Sequence, residues 1–260
     1  MTIRPGLCSV TFRQLDPSAI AALAASAGLE VIEWGGDVHV PPGDAVRAAE
    51  VARITADAGL AVASYGSYFR AEAGEDIAPV LDSAEALGAD RIRVWAGRIG
   101  SADAAAAERA EVVDALAAAA EQAGQRGISL ALEFHGGTLA DDAAQTLRVL
   151  AEVASPHLST YWQPTVSASD AVAVAEYQRI ADRVSAVHVF SWWPVAERLP
   201  LTARDGLWTA FARAAAVAAK PPRDALLEFV PGDDPAALAA EAAALRGYLA
   251  EPAARTRLGA

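Results

Sequence analysis

The sequence predicts an α/β protein folded as a single (β/α)8 TIM barrel over residues 1–260. Three observations carry that prediction. Apolar runs of strand length alternate eight times with alanine-rich segments of helical period, and no composition shift marks a linker between them. A length of 260 residues suits one such barrel, whereas an open doubly wound sheet rarely needs so many β/α units. Four of the runs also close on a side chain able to hold a divalent metal, and in a parallel barrel all C-terminal strand ends meet at one mouth.

In chain order, the first strand is read in GLCSVTF (6–12) and the first helix over 17–27, started by Asp16 and Pro17. EVIEW (30–34), a helix over 43–58 and AVASY (61–65) follow, then RIRVW (91–95) and a helix over 103–126. The second half reads as ISLALEF (128–134), LSTYW (158–162), a helix over 167–182, SAVHVF (185–190), DALLEF (224–229) and a helix over 235–249. Four repeated signals, SAGLE, DAGLA, ALGAD and QRGIS, put a glycine between a helix and the next strand, where a left-handed residue stops the helix.

Composition excludes several functions. A net charge of −12 argues against binding a phosphate backbone, which needs clustered cations, so nucleic acid is not an expected partner. One cysteine, Cys8, leaves no disulfide framework and no cysteine-rich zinc cluster. The single lysine, Lys220, precedes the last strand and so belongs at the closed end of the barrel, which argues against Schiff-base chemistry at the mouth. No strand is followed by a dinucleotide or P-loop glycine pattern. No charged, then apolar leader and no membrane-length apolar run is visible, and the expectation is a cytoplasmic protein that does not engage a membrane.

Glu133 ends SLALE and Glu228 ends ALLE, an expensive choice in apolar strands unless something positive meets each carboxylate. An ion pair with arginine would explain one such residue; the same choice twice points to a site. His188 lies in AVHVF, between the strand closed by Gln163 and the strand closed by Glu228. Glutamate, histidine and an amide oxygen together suit Mn, Mg, Co or Zn. For Gln163, a bystander that closes a strand before Pro164 is an equal reading. His135 falls two residues after Glu133, on the same side of an extended chain, and is a substrate contact. Trp34, Tyr65, Trp95, Trp162, Trp192 and Trp193 fall at or after strand ends, some in the core and some as pocket rings suited to a sugar face; Trp95 and Trp192 are the candidates for substrate contact. His39 and Arg198 are further polar candidates, with a solvated position as the alternative.

On LGADRIRVWAG, LALEFHGG, WQP, VHVFSWW and LLEF, the chain resembles the xylose isomerase-like barrels, the sugar phosphate isomerase and epimerase group. The resemblance spans nearly the whole chain and implies one divalent ion, with Mn favoured over Mg, Co or Zn, on Glu133, Gln163, His188 and Glu228. Members more often carry Asp where Gln163 stands. The resemblance further implies that Glu133 and Glu228 shuttle a proton beside a carbonyl. The expected activity is isomerisation or epimerisation of a non-phosphorylated sugar or polyol ketone through an enediolate. The paired aspartates of VPGDDP, after the last strand, argue against a phosphate there. Two alternatives stay open: a lyase or dehydratase acting on a keto-sugar, keto-inositol or oxidised glycoside, and a non-catalytic sugar-binding barrel whose metal site is degenerate at Gln163. Homo-oligomerisation is not decided by the sequence.

Overall fold

In the computed structural model, which describes residues 3–256, the barrel strands are β1 (Arg4–Cys8), β2 (Val31–Gly35), β3 (Ala61–Gly66), β4 (Arg91–Val94), β5 (Ser129–Leu132), β6 (Leu158–Trp162), β7 (Val184–Val189) and β10 (Asp224–Leu227). All neighbours pair in parallel and the sheet closes in the order β1-β10-β7-β6-β5-β4-β3-β2. A short antiparallel hairpin, β8 (Ser191–Trp192) and β9 (Arg198–Leu199), is inserted after β7. The surrounding helices are α1 (Pro17–Ser26), α2 (Ala45–Asp57), α3 (Ala78–Leu87), α4 (Ala106–Gln125), α5 (Ala143–Val153), α6 (Asp170–Ile180), α7 (Asp205–Val217) and α8 (Leu238–Thr256).

Local chemistry explains these boundaries. Asp16, Asp44, Asp142 and Ser169 accept backbone N–H groups at the starts of α1, α2, α5 and α6, where four donors lack helical partners. The helices expected from the sequence therefore begin up to three residues early where the capping residues are counted as helical. Gly28, Gly59, Gly88 and Gly127, the glycines of the four stop signals, all have positive φ, between 70° and 76°. The first strand is shorter than GLCSVTF: it ends at Cys8, and Ser9–Phe12 turn as a 3-10 helix. The Ser9 hydroxyl there accepts from the Gly35 N–H at 2.8 Å, taking over where the ladder with β2 stops.

The barrel interior is stacked in layers. Asp224 is fully buried at the closed end, bonded to Arg91 at 2.5 Å and to Arg4 at 2.6 Å. The middle layer is apolar: Val31, Ala63, Ala131, Tyr161, Ala186 and Leu226 pack as one cluster, separate from the larger core between strands and helices. The upper layer is charged, with Glu33, Arg93, Glu133, His188 and Glu228 all at most 8% exposed. Lys220 is exposed on the loop before β10, at the closed end as the sequence implied. Among the described residues no helix is long and apolar enough to cross a membrane.

Asp224 carries three guanidinium partners, since Arg223 also approaches it at 3.3 Å. Removing it leaves Arg91 as a buried cation without its counter-charge, so Asp224→Ala is expected to lower unfolding free energy by about 3–5 kcal/mol. Arg53→Ala, which breaks an exposed pair with Asp57, is expected to change nothing measurable. Denaturant unfolding of both variants checks the contrast.

Candidate metal centre

Glu133 and Glu228 occupy equivalent places. Each lies one residue past its strand, and each backbone N–H still donates to the neighbouring strand, Glu133 to the Val94 carbonyl at 2.8 Å and Glu228 to the Val189 carbonyl at 3.1 Å. This fixes both carboxylates at the mouth. Gln163 follows β6 directly, and His188 is the fifth residue of β7 with its ring fully buried. His188 Nδ1 faces Gln163 Oε1 at 3.2 Å and Glu228 Oε2 at 3.6 Å. Single ligand atoms of Glu133, His188 and Glu228 all lie within 4.8 Å of one another. The four residues expected as ligands are therefore brought together.

Two residues that the sequence reading passed over complete the charge pattern. Arg93, on β4, bonds Glu133 through Nη1 and approaches Glu33 Oε1 with Nε at 3.3 Å. Glu33, on β2, also accepts from Ser64 Oγ at 2.7 Å and Tyr161 Oη at 2.9 Å, and faces His188 Nε2 at 3.3 Å. The signal for Glu33 was present: VIEW repeats the apolar-glutamate-aromatic pattern of LEF in both later strands. Arg93 stands at alternate spacing from Arg91 in RIRVW, so both point into the barrel.

Counting charges decides what the cluster can hold. Three buried carboxylates against one guanidinium leave −2 with His188 neutral, and such a charge is not left uncompensated in a buried layer. Without an ion, protons must supply the difference. Burial opposes the imidazolium of His188, but Glu228 and Glu33 outweigh it and push its pKa up. Burial, aided by Glu133, likewise pushes Glu228 up. Glu33 goes the other way: burial disfavours its anion, yet His188, Arg93 and Ser64 overcome that and hold it ionised. A divalent cation would replace those protons. Two carboxylate groups, an imidazole and an amide oxygen suit a hard or borderline divalent ion, so the residues fit the metal expected from the sequence.

A second triad, Cys8, Glu33 and His188, has equally close ligand atoms on the other side of the same ring. It is the poorer site. Burial raises the Cys8 thiol well above its ordinary pKa, and a ligand must be the thiolate. Both Glu33 oxygens are already engaged by the partners named above.

Above the cluster lies a cavity of about 440 Å³. Trp95, His135 and Trp192, three of the five expected substrate contacts, line it; the Trp95 and His135 rings lie 4.6 Å apart. The indole Nε1–H groups of Trp95 and Trp192 have no hydrogen-bond partner among the described residues. Phe229, in the left-handed region at φ 56°, turns the chain sharply after Glu228 and presents its ring to the same cavity. Asp141, Arg13 and Tyr68 also reach it, and the sequence reading did not single them out.

Two expected contacts lie elsewhere. His39 is buried outside the cavity: Ser9 Oγ donates to its Nδ1 at 2.9 Å and its Nε2 donates to the Leu15 carbonyl at 3.2 Å, which makes it a packed core residue. Arg198, on β9, ion-pairs with Asp233 and stacks on Phe229 at 4.3 Å and Trp192 at 5.4 Å, supporting the cavity wall from behind. Asp233 is thereby paired with a guanidinium, and Asp234 accepts the Ala236 N–H as a helix cap. Trp34, Tyr65 and Trp162 are fully buried between strands and helices, whereas Trp193 is 40% exposed under the Arg204 guanidinium. Only one of the adjacent tryptophans faces inward.

The sequence model described as xylose isomerase-like TIM barrel matches residues 21–214. A 3-dehydroshikimate dehydratase of Bacillus anthracis is 28% identical over 163 residues, 58% of this chain and 58% of that protein, so the chain spans less than two thirds of the relative's length. Among solved structures, the probable 3-DHS dehydratase involved in petrobactin synthesis from Bacillus anthracis superposes with a TM-score of 0.72 at 21% identity, covering 94% of this chain and 99% of the other. An L-ribulose 3-epimerase superposes with a TM-score of 0.73 at 18% identity, covering 99% and 98%. At these identities the structural likeness shows the fold.

If Gln163 is a ligand, Gln163→Asp adds a negative charge beside a dication. Even at an effective dielectric of about 20, a unit charge near 4 Å is worth several kcal/mol before desolvation, so Mn affinity is expected to rise by at least about tenfold. Calorimetric titration checks this, and equal or weaker affinity removes Gln163 from the ligand set.

Proposed function

The chain belongs to the xylose isomerase-like TIM barrel family, and from that premise we propose that it is a divalent-metal-dependent isomerase or epimerase of a non-phosphorylated sugar or polyol ketone. The observation that carries this reading is the cluster of Glu133, Gln163, His188 and Glu228, with its residual charge of −2, beneath an aromatic cavity. These four residues would hold the ion, with Mn the favoured metal. A bound ion of this kind supplies Lewis acidity to a carbonyl and its neighbouring hydroxyl.

The chain's own residues supply the rest. Glu133 and Glu228 serve as the proton-transfer pair, one removing the hydrogen on the carbon beside the carbonyl and the other returning a proton to the enediolate. Arg93 ties down one oxygen of Glu133, so the ion and the transferred proton would share the other. The faces of Trp95 and Trp192 on the cavity suit a ring or chain of hydroxyl groups. The two arginines that line the cavity are each already paired, Arg93 with Glu33 and Glu133 and Arg13 with Asp37, which speaks for a substrate without phosphate. A cytoplasmic setting goes with this chemistry.

A second reading is a lyase or dehydratase on a keto-sugar, keto-inositol or oxidised glycoside, which would begin with the same proton removal. The likeness to the 3-dehydroshikimate dehydratase favours keeping it.

Turnover of a panel of ketoses and keto-glycosides in deuterium oxide, with and without Mn, tests both readings. Product carrying solvent deuterium at the carbon beside the carbonyl is expected, and elimination products would identify the lyase. Glu133→Gln and Glu228→Gln should each lower turnover by at least about 10²-fold while keeping the circular dichroism of the wild type, since an amide fills the space but takes no proton. Product without solvent deuterium would contradict the glutamate proton transfer.

A further inference from the structure

We propose that Glu33 is a positioning residue for the metal centre: it holds the His188 ring with its proton on Nε2, so that the Nδ1 lone pair points at the ion. The inference rests on the metal reading above and extends it to a residue outside the ligand set.

The geometry leaves little choice. Glu33 Oε1 faces His188 Nε2 at 3.3 Å, and the other oxygen accepts from Ser64 Oγ and Tyr161 Oη at 2.7 and 2.9 Å. Arg93 Nε adds a cation 3.3 Å from Oε1. A carboxylate surrounded by donors can only accept, so the imidazole nitrogen facing it carries the hydrogen. A neutral imidazole has one such hydrogen. Its Nδ1 is then a bare lone pair, aimed between Gln163 Oε1 at 3.2 Å and Glu228 Oε2 at 3.6 Å. Those oxygens belong to the other ligands, so an ion held among them meets Nδ1. A carboxylate behind a metal-bound histidine, fixing its tautomer and strengthening it as a donor, is a common arrangement in metal sites.

The fold invests in placing this carboxylate. The register of β2 against β3 shifts between Ile32 and Glu33, and that of β6 against β7 shifts between Thr160 and Tyr161. At each shift the extra residue lies on the facing strand, Ala63 on β3 and Ser185 on β7, and bends that strand where it passes Glu33 or Tyr161. Glu33 and Tyr161 meet each other across the barrel, and the Tyr161 ring stands edge-on to His188 at 5.1 Å, blocking rotation of the imidazole. Space is made for the group as well: a Cβ at Gly66 would lie 3.0 Å from both Glu33 Oε1 and Arg93 Nη2.

Two measurements on the full chain test the proposal. In protein labelled with 15N-histidine and loaded with Zn as a diamagnetic probe, long-range proton-nitrogen correlation should show His188, identified by its loss in His188→Asn, with a protonated Nε2 and a metal-bound Nδ1. A protonated Nδ1 with the metal on Nε2 would overturn it. In the second measurement, metal-free wild type and Glu33→Gln are titrated with Mn and followed by electron paramagnetic resonance. The variant should keep one site but bind Mn about 10- to 100-fold more weakly. Mn bound by both proteins with equal affinity overturns this inference alone, whereas no Mn binding by the wild type overturns the metal reading and the inference together. If Glu33→Gln does not fold, the wild-type nitrogen spectrum still decides.

Discussion

Arg93 lies where the charges of the upper barrel layer meet, between Glu33 and Glu133 and buried with them. A guanidinium in that position would be costly alone, and so would either carboxylate; together they share the cost of desolvation. The arrangement orders the rest of the layer. Glu33, held by Arg93 from one side and by Ser64 and Tyr161 from the other, fixes one nitrogen of His188. The other nitrogen is left facing the oxygens of Gln163 and Glu228. Three carboxylates and one guanidinium then leave a charge that one divalent ion balances, with Gln163 contributing an oxygen and no further charge. A fourth carboxylate at residue 163 would shift that balance by one unit.

The apolar layer of Val31, Ala63, Ala131, Ala186 and Leu226 separates this cluster from the Asp224 network at the closed end. Small side chains there let Tyr161 lie within the barrel, with its ring under the Arg91 guanidinium at 5.1 Å and its hydroxyl on Glu33. One aromatic ring thus touches both charged layers. The closed end holds the barrel together, and the open end carries the charge a ligand can use.

Much of this was legible in the sequence because it depends on local rules. Strand and helix periods located the eight units, the four helix-ending glycines fixed the stops, and Glu133 and Glu228 were conspicuous as charges in apolar strands. What was not legible depends on contacts across the barrel. Glu33 and His188 are 155 residues apart, and nothing local says that their side chains meet. His39 looked like a loop residue free to reach a ligand, yet the turn at Ser9–Phe12 brings the Ser9 hydroxyl to one of its nitrogens and the Leu15 carbonyl, three residues past that turn, meets the other. Arg198 and Asp233 each read as open mouth charges because their pairing joins two different loops. Trp34 and Trp162 could not be told from pocket rings, since strand ends supply side chains to the helix-facing core and to the mouth alike.

The claim on which the account turns is that the upper layer is built around one divalent ion on the Nδ1 side of His188. Anomalous diffraction from crystals soaked in Mn tests it most directly. The account predicts one peak bonded by Glu133, Gln163 Oε1, His188 Nδ1 and Glu228, with Arg93 still between Glu33 and Glu133. No peak at the mouth, or a peak held by Cys8, Glu33 and His188 Nε2, would contradict it.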